Sequence, residues 1–235
     1  MNAVHLLMEI KISTYFGKQE TRDVIINNVF LDNVKPWQES RALQQGFSLY
    51  IENGKEHWFM SRNTRICLEK TNYNSIDLEW EIVDKKPKVI KKILNSYLQR
   101  NNYKDLYSID EDCDRFKYIL YKDNGKIVAI TKLLNYSNDV ETHFFIWNYH
   151  NPDLHLGTVS LEHEIWWAKH NGYKYLYTGP GYEQSSIYKS QFPGFEWWTG
   201  MEWSDDVEIY NELCKRDSKI RSFKALTSLD PQELP

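Results

Sequence analysis

Residues His155 to Gly200 read HLGTVSLEHEIWWAKHNGYKYLYTGPGYEQSSIYKSQFPGFEWWTG. The pattern is helical from Gly157 onward, and Asn171-Gly172 supplies the residue pair that commonly ends a helix. Tyr173 to Gly179 returns to strand, and Gly179-Pro180-Gly181 then redirects the chain. A second helix is predicted from about Glu183 to Gln191, followed by the aromatic strand-like run from Phe195 to Trp203. Helix, strand, turn, helix and strand in direct succession place the chain in the α+β class with a mixed sheet.

Working outward, KVIKKILNSYLQRN from Lys88 puts Val89, Ile90, Ile93, Leu94, Tyr97 and Leu98 on one helical stripe and leaves the lysines on the other side. Three runs follow, FKYILYK, KIVAITKLLNYS and VETHFFIWNYH, with Asp123-Asn124-Gly125 between the first two, and they read as an antiparallel meander. A last helix is expected near Asp205 to Arg216. Helix, three strands, helix, strand, helix, strand is the order of the GNAT acyltransferase fold, predicted here for residues 83 to about 222. Residues 1–82 carry short alternating runs, an Asn53-Gly54 hairpin signal and a helix from Trp37 closed by Gly46, so a smaller α+β module is expected there. Residues 223–235 read as a loose tail.

With 235 residues and 41% hydrophobic composition, a proper core is available and disorder is not the default. No apolar run approaches the about 18 residues a membrane helix needs, and the start lacks a signal-peptide pattern. A soluble cytoplasmic protein is the simplest reading. Cys67, Cys113 and Cys214 lie far apart without a C-x-x-C pair, so neither a disulfide framework nor a cysteine-rich metal site is expected. The net charge of -4 opposes a globally nucleic-acid-binding surface. Charge is uneven, however. Lys85, Lys86, Lys88, Lys91, Lys92, Arg100 and Lys104 follow one another with no acid among them, a basic face suited to phosphates or simply a solvated helix face.

The candidate site residues cluster in the opening stretch. Gly157 and Thr158 start a helix whose free N–H groups suit an anion or a donor's carbonyl oxygen. Ser160 and Glu164, four apart, share a face of it; Glu164 either binds a substrate amine, caps an inward polar network or pairs with a nearby cation. His163 is expected at the surface. Gly179 and Gly181 let the main chain approach a ligand at the carboxyl end of a strand, with Tyr177 before them and Tyr182 after. Tyr188 falls where this fold often carries a tyrosine that protonates a leaving group, and Lys189 suits developing negative charge or a phosphate. Trp197 and Trp198 alternate, so one faces the core; Trp198 is counted with the substrate-binding residues as a stacking surface. The loop at His155-Leu156-Gly157-Thr158 supplies just one of the glycines with which acetyl-CoA enzymes wrap pyrophosphate.

The run LGTVSLEHEIWWAKHNGYKYLYTGPGY...IYK resembles the carboxyl-terminal half of arginyl-tRNA protein transferases, through Leu156, Gly157, Ser160, Glu164, Ile165, Gly172, Tyr175, Tyr177, Gly179, Tyr188 and Lys189. Upstream, GFSLYIENGKEHWFMSRNTRI is similar to a segment of that family that ends in a basic element, here Arg62 and Arg65. The resemblance implies a GNAT-like domain that moves an aminoacyl group from charged tRNA to an amine, such as a protein's or peptide's amino terminus or a small molecule. It implies Tyr188, Lys189 and Glu164 as catalytic residues. Arg62, Arg65, Lys88, Lys91 and Lys92 would contact tRNA. The family's amino-terminal cysteine cluster, which binds metal or an iron-sulfur cluster, has no counterpart among these cysteines, so no metal or cofactor is expected and the chain reads as a divergent member. Two alternatives stay open: an acyl-CoA-dependent N-acyltransferase using the same cleft, and a non-catalytic module that binds tRNA or a peptide.

Overall fold

The computed structural model describes residues 9–18, 24–52, 54–101, 113–149 and 151–220. The expected tail at 223–235 and Lys104 lie outside the described residues. Strands β1 (Glu9–Lys18), β2 (Val24–Asp32), β3 (Phe47–Glu52) and β4 (Lys55–Met60) form an antiparallel sheet in the order β1-β2-β4-β3. Between β2 and β3, helix α1 (Glu39–Gln44) ends at Gly46, whose φ of 78° is left-handed. Glycine is required there twice over, because a Cβ would also run into the Trp198 ring.

The second sheet has eight strands in the order β12-β11-β5-β10-β9-β8-β7-β6. They are β5 (Asn63–Cys67), β6 (Glu79–Val83), β7 (Phe116–Asp123), β8 (Lys126–Asn135), β9 (Val140–Trp147), β10 (Tyr175–Pro180), β11 (Phe195–Trp198) and β12 (Trp203–Ser204). Helices α2 (Ile90–Asn101), α3 (Leu156–His170) and α4 (Val207–Asp217) complete the chain's order. The run from α2 through β7, β8, β9, α3 and β10 to β11 reproduces the predicted GNAT-like succession. Gln184–Gln191, expected as a helix, is wound as a 3-10 helix. Strand β5 precedes residue 82 and β6 runs across it, so the eight-stranded sheet draws on both sides of the boundary expected there.

Both faces of this sheet are covered, which explains why Val128 to Leu134 of β8 are buried without a break. One face packs against α3 and α4 through Ile66, Leu133, Val140, Ile165, Leu176 and Leu213. The other joins α1, α2 and the four-stranded sheet through Leu43, Phe47, Trp58, Ile93, Leu120 and Ile146. Each such side chain contributes about 1.5–3 kcal/mol on burial, so the sheet is fixed from both sides and its irregularities are held in place. Among the described residues, no helix is long and apolar enough to cross a membrane.

Candidate active site

The sheet's irregularity is concentrated where β9 meets β10. These two strands are parallel, joined by α3, and they pair at just two positions, Leu176 with Val140 and Tyr177 with Glu141. Beyond that point β9 continues to Trp147 and β10 to Pro180 without further pairing. Each strand is bulged at the point of divergence. The β8–β9 register slips at His143, between the Leu133–Thr142 and Lys132–Phe144 pairs. The β10–β5 register slips at Thr178, between the Tyr177–Arg65 and Gly179–Thr64 pairs. Bulges bend a strand and re-aim its side chains, so the two together open a gap at the carboxyl ends of parallel strands, beside the start of α3.

On the α3 face of the gap lies Glu164, 1% exposed. Its Oε1 accepts from the Thr131 hydroxyl and its Oε2 from the Thr142 hydroxyl, each at 2.6 Å. Burial outweighs these two hydrogen bonds and lifts the carboxyl to about 7. Among the described residues no ion pair to Glu164 forms, and its polar contacts within the protein are those of an inward network. Tyr188 stands across from it. The residue is 43% exposed, yet its hydroxyl is pushed up to about 12, first by desolvation and then by the charges of Glu164 and Glu183.

The other wall is the Gly179-Pro180-Gly181 turn. Gly179 takes a φ of 71°, and a Cβ built on it would meet a single neighbour, Glu141 Oε1 at 3.9 Å, an ordinary van der Waals contact, so there is room for one atom of that size between them. Gly181 is different: a Cβ there would collide with the Tyr210 hydroxyl, so this glycine serves packing. Lys189, from the 3-10 helix, reaches back to donate from Nζ to the carbonyls of Thr178 at 2.7 Å and Pro180 at 2.9 Å. Its charge is thereby held at the end of β10. Glu141, 5% exposed, was not singled out in the sequence; its Oε2 accepts from the Tyr136 hydroxyl at 2.5 Å. Burial raises its carboxyl to about 7 against the opposing effects of Tyr136 and Lys189.

Several predicted residues lie elsewhere. Gly157 and Thr158 are exposed in the first turn of α3, where the Thr158 N–H donates to the His155 carbonyl at 3.0 Å, and Ser160 is buried one turn on. Tyr177 is a core residue with its ring against Trp203. Tyr182 is buried, its hydroxyl oxygen accepting from the Arg62 N–H at 2.8 Å. Trp198 is a correction: its ring fills the space over Gly46 and packs edge-on against Trp203, leaving it 7% exposed and no platform for stacking. His163 is a second correction, fully buried rather than at the surface, with Nδ1 accepting from the Ile76 N–H at 3.2 Å. Desolvation lowers it to about 4, so it stays neutral.

The basic residues divide. Lys88, Lys91 and Lys92 are exposed at the start of α2. Arg65 is instead sandwiched between Tyr175 and Trp203, with its guanidinium 3.8 and 4.0 Å from the ring centres, and pairs with Glu196 at 2.7 Å. Arg62 pairs with the buried Asp217 at 2.7 Å. Arg65 is committed inside the protein, whereas Arg62 is charge-paired with Asp217 while its side chain still reaches the surface. A surface cavity of 380 Å³ is lined by Arg62, Arg216, Trp197 and Asp206 among others, and none of Glu141, Glu164 and Lys189 borders it. Its two arginines share Asp217, and Asp206 in the lining supplies the second negative charge that balances them. Cys67, Cys113 and Cys214 are free thiols.

Residues 79–199, just over half of the chain, match the family described as arginine-tRNA-protein transferase, C terminus. No curated protein matches the sequence. Among solved structures, the C-terminal domain of a protein described as a lysylphosphatidylglycerol synthetase from Agrobacterium fabrum is similar with a TM-score of 0.43 and 9% identity, over 72% of this chain and 70% of that one. L-PGS from Bacillus licheniformis is similar with a TM-score of 0.44 and 8% identity, over 72% of this chain and 71% of that one.

Proposed function

The chain belongs to the family of the arginine-tRNA-protein transferase C terminus, and from that premise we propose that it moves an aminoacyl group from charged tRNA to an amine in the gap between β9 and β10. The single observation that carries this reading is the parting of the two parallel strands beyond Tyr177 and Glu141, with the Lys189 ammonium held at its edge. An aminoacyl ester is already activated, so alignment of the amine with the ester supplies much of the rate. The amine nitrogen attacks the ester carbonyl carbon. Lys189 faces the oxyanion that develops. The C–O bond to the ribose then breaks, and Tyr188 gives its proton to the departing oxygen. Glu164 acts through Thr142 and Tyr188, as a positioning residue. The exposed lysines of α2 meet the phosphates of the acceptor arm by long-range attraction and counterion release.

The test uses bulk tRNA charged with a mixture of labelled amino acids, an equimolar pool of dipeptides with free amino termini, and labelled acetyl-CoA in a parallel reaction. Label moving from tRNA into an amide is the expected result. Label moving from acetyl-CoA alone overturns the reading in favour of an acyl-CoA enzyme, and binding of charged tRNA without turnover makes the domain a binding module.

A further inference from the structure

We propose that Glu141 is the base of the transfer: its Oε1 takes the proton released by the acceptor amine as the nitrogen bonds to the aminoacyl carbonyl carbon. The inference rests on the transfer reading above and adds a residue to it. Three observations place Glu141 there. It forms, with Tyr177, the last β9–β10 pair before the strands part, so its Cα stands at the inner end of the gap, and its Oε1 reaches the Gly179 position of β10 just beyond that pair. Its two oxygens have different surroundings: Oε2 is fixed by the Tyr136 hydroxyl at 2.5 Å, whereas Oε1 faces the open side of Gly179, where a methyl group would still be 3.9 Å away. Lastly, Gly179 carries no side chain across this space, and its positive φ disfavours one.

The charged and titratable groups around Glu141 agree with that role. Tyr136, from the turn between β8 and β9, donates to it and so favours the ionised form; Arg115 lies over the Tyr136 ring at 5.5 Å. Lys189 acts on it from beyond β10. Asp139, in the same turn, is occupied by Ser40 at 2.6 Å, and Tyr177 is the strand-pairing neighbour of Glu141. Glu164 belongs to the opposite face of β9, where Thr142 holds it. Burial brings Glu141 to about 7, where a carboxylate can take a proton and release it again near neutral pH. The proton balance closes: the amine enters neutral, its ammonium proton having gone to solvent, and loses one further proton to Glu141; the ribose oxygen gains one from Tyr188, and both side chains re-equilibrate with solvent after the amide leaves.

The experiment is single-turnover transfer from bulk charged tRNA to the dipeptide pool, followed from pH 5 to 9, for the wild type, E141Q and Y136F. With each rate divided by the neutral fraction of the dipeptide amine, which itself titrates at about 8, the wild-type rate should rise through about pH 7 and level off. E141Q should be slower by about 10²–10⁴, the usual worth of a positioned base, and lose that rise while binding charged tRNA as tightly as the wild type. Y136F keeps the carboxylate but removes its donor, so the rise should move to higher pH. E141Q within about threefold of the wild type with the rise intact, or a rise that Y136F leaves in place, overturns the assignment. Absence of any tRNA-dependent transfer by the wild type overturns the underlying reading instead, so the two failures are distinct.

Discussion

Replacing Glu164 by glutamine should change how stability depends on pH, by an amount that follows from its burial. The side chain is 1% exposed and its carboxyl lies near 7 in the folded protein against 4.5 when free. At about 1.4 kcal/mol per pH unit, that interval is worth about 3 kcal/mol. The folded pKa is raised, so the folded state binds the proton more tightly; the associated stability is fully present below about 4.5 and is lost as pH climbs through about 7. Glutamine has the same shape, can accept from one threonine through Oε1 and donate to the other through Nε2, and does not titrate. Urea unfolding of wild type and E164Q at pH 5 and pH 8 isolates the effect, because every other titrating group is common to both. E164Q should gain on the wild type by up to about 3 kcal/mol across that range. Parallel stability curves would refute the buried carboxylate without an ionic partner that forms this wall of the gap.

Other residues give sharper contrasts between structural and functional roles. Arg65→Met removes the 2.7 Å partner of Glu196, leaving that carboxylate the half-exposed Lys70 at 3.6 Å, and should cost about 1.5–3 kcal/mol in urea unfolding, with E196Q in the same chain recovering part of it. Reversing Lys88, Lys91 and Lys92 to Glu should weaken tRNA binding and flatten its salt dependence, by about 0.9 in the log–log slope for each phosphate no longer neutralised; unchanged titrations would return α2 to a solvated face. Gly46→Ala forces a methyl into the Trp198 ring and strains a left-handed residue, so a loss of about 2 kcal/mol or more is expected by thermal or urea unfolding.

Elements with local causes are legible in the sequence. The α2 stripe, the Asn171-Gly172 stop after α3 and the Asp123-Asn124-Gly125 hairpin each depend on a few neighbouring residues, and each element forms where those residues place it. Insertion of β5 between β10 and β11 is not legible, because pairing partners more than a hundred residues apart leave no trace in local periodicity. The same limit hides the ion pairs. Arg62 and Arg65 look like a phosphate-binding pair until Asp217 and Glu196 arrive from distant strands and helices. Trp198 can be read as facing away from the core because the sequence does not announce that α1 and Gly46 cover that face.

Glu141 escapes for a different reason. Simple alternation along VETHFFIW sets Glu141 with His143, Phe145 and Trp147, but the bulge at His143 shifts the phase. Phe144 and Ile146 then pack on one face while Phe145 and Trp147 pack on the other. A glutamate in a strand that, His143 apart, is apolar or β-branched is the available signal. Burial of an acid without a full ionic partner is costly, and such groups concentrate where they are used. Glu164 is found because it sits on a helix, where i to i+4 spacing with Ser160 survives without irregularity.

The most direct test of the central claim is a single-turnover reaction in which label from charged tRNA is followed into three products: intact aminoacyl-tRNA, free amino acid and new amide. The wild type should deliver label to the amide. Lys189→Met should leave it on the tRNA while binding that tRNA normally, if Lys189, which donates to the Thr178 and Pro180 carbonyls at the end of β10, stabilises the reacting carbonyl as proposed. Undiminished amide formation by Lys189→Met, or label that never leaves the tRNA with the wild type, would contradict transfer in the gap between β9 and β10.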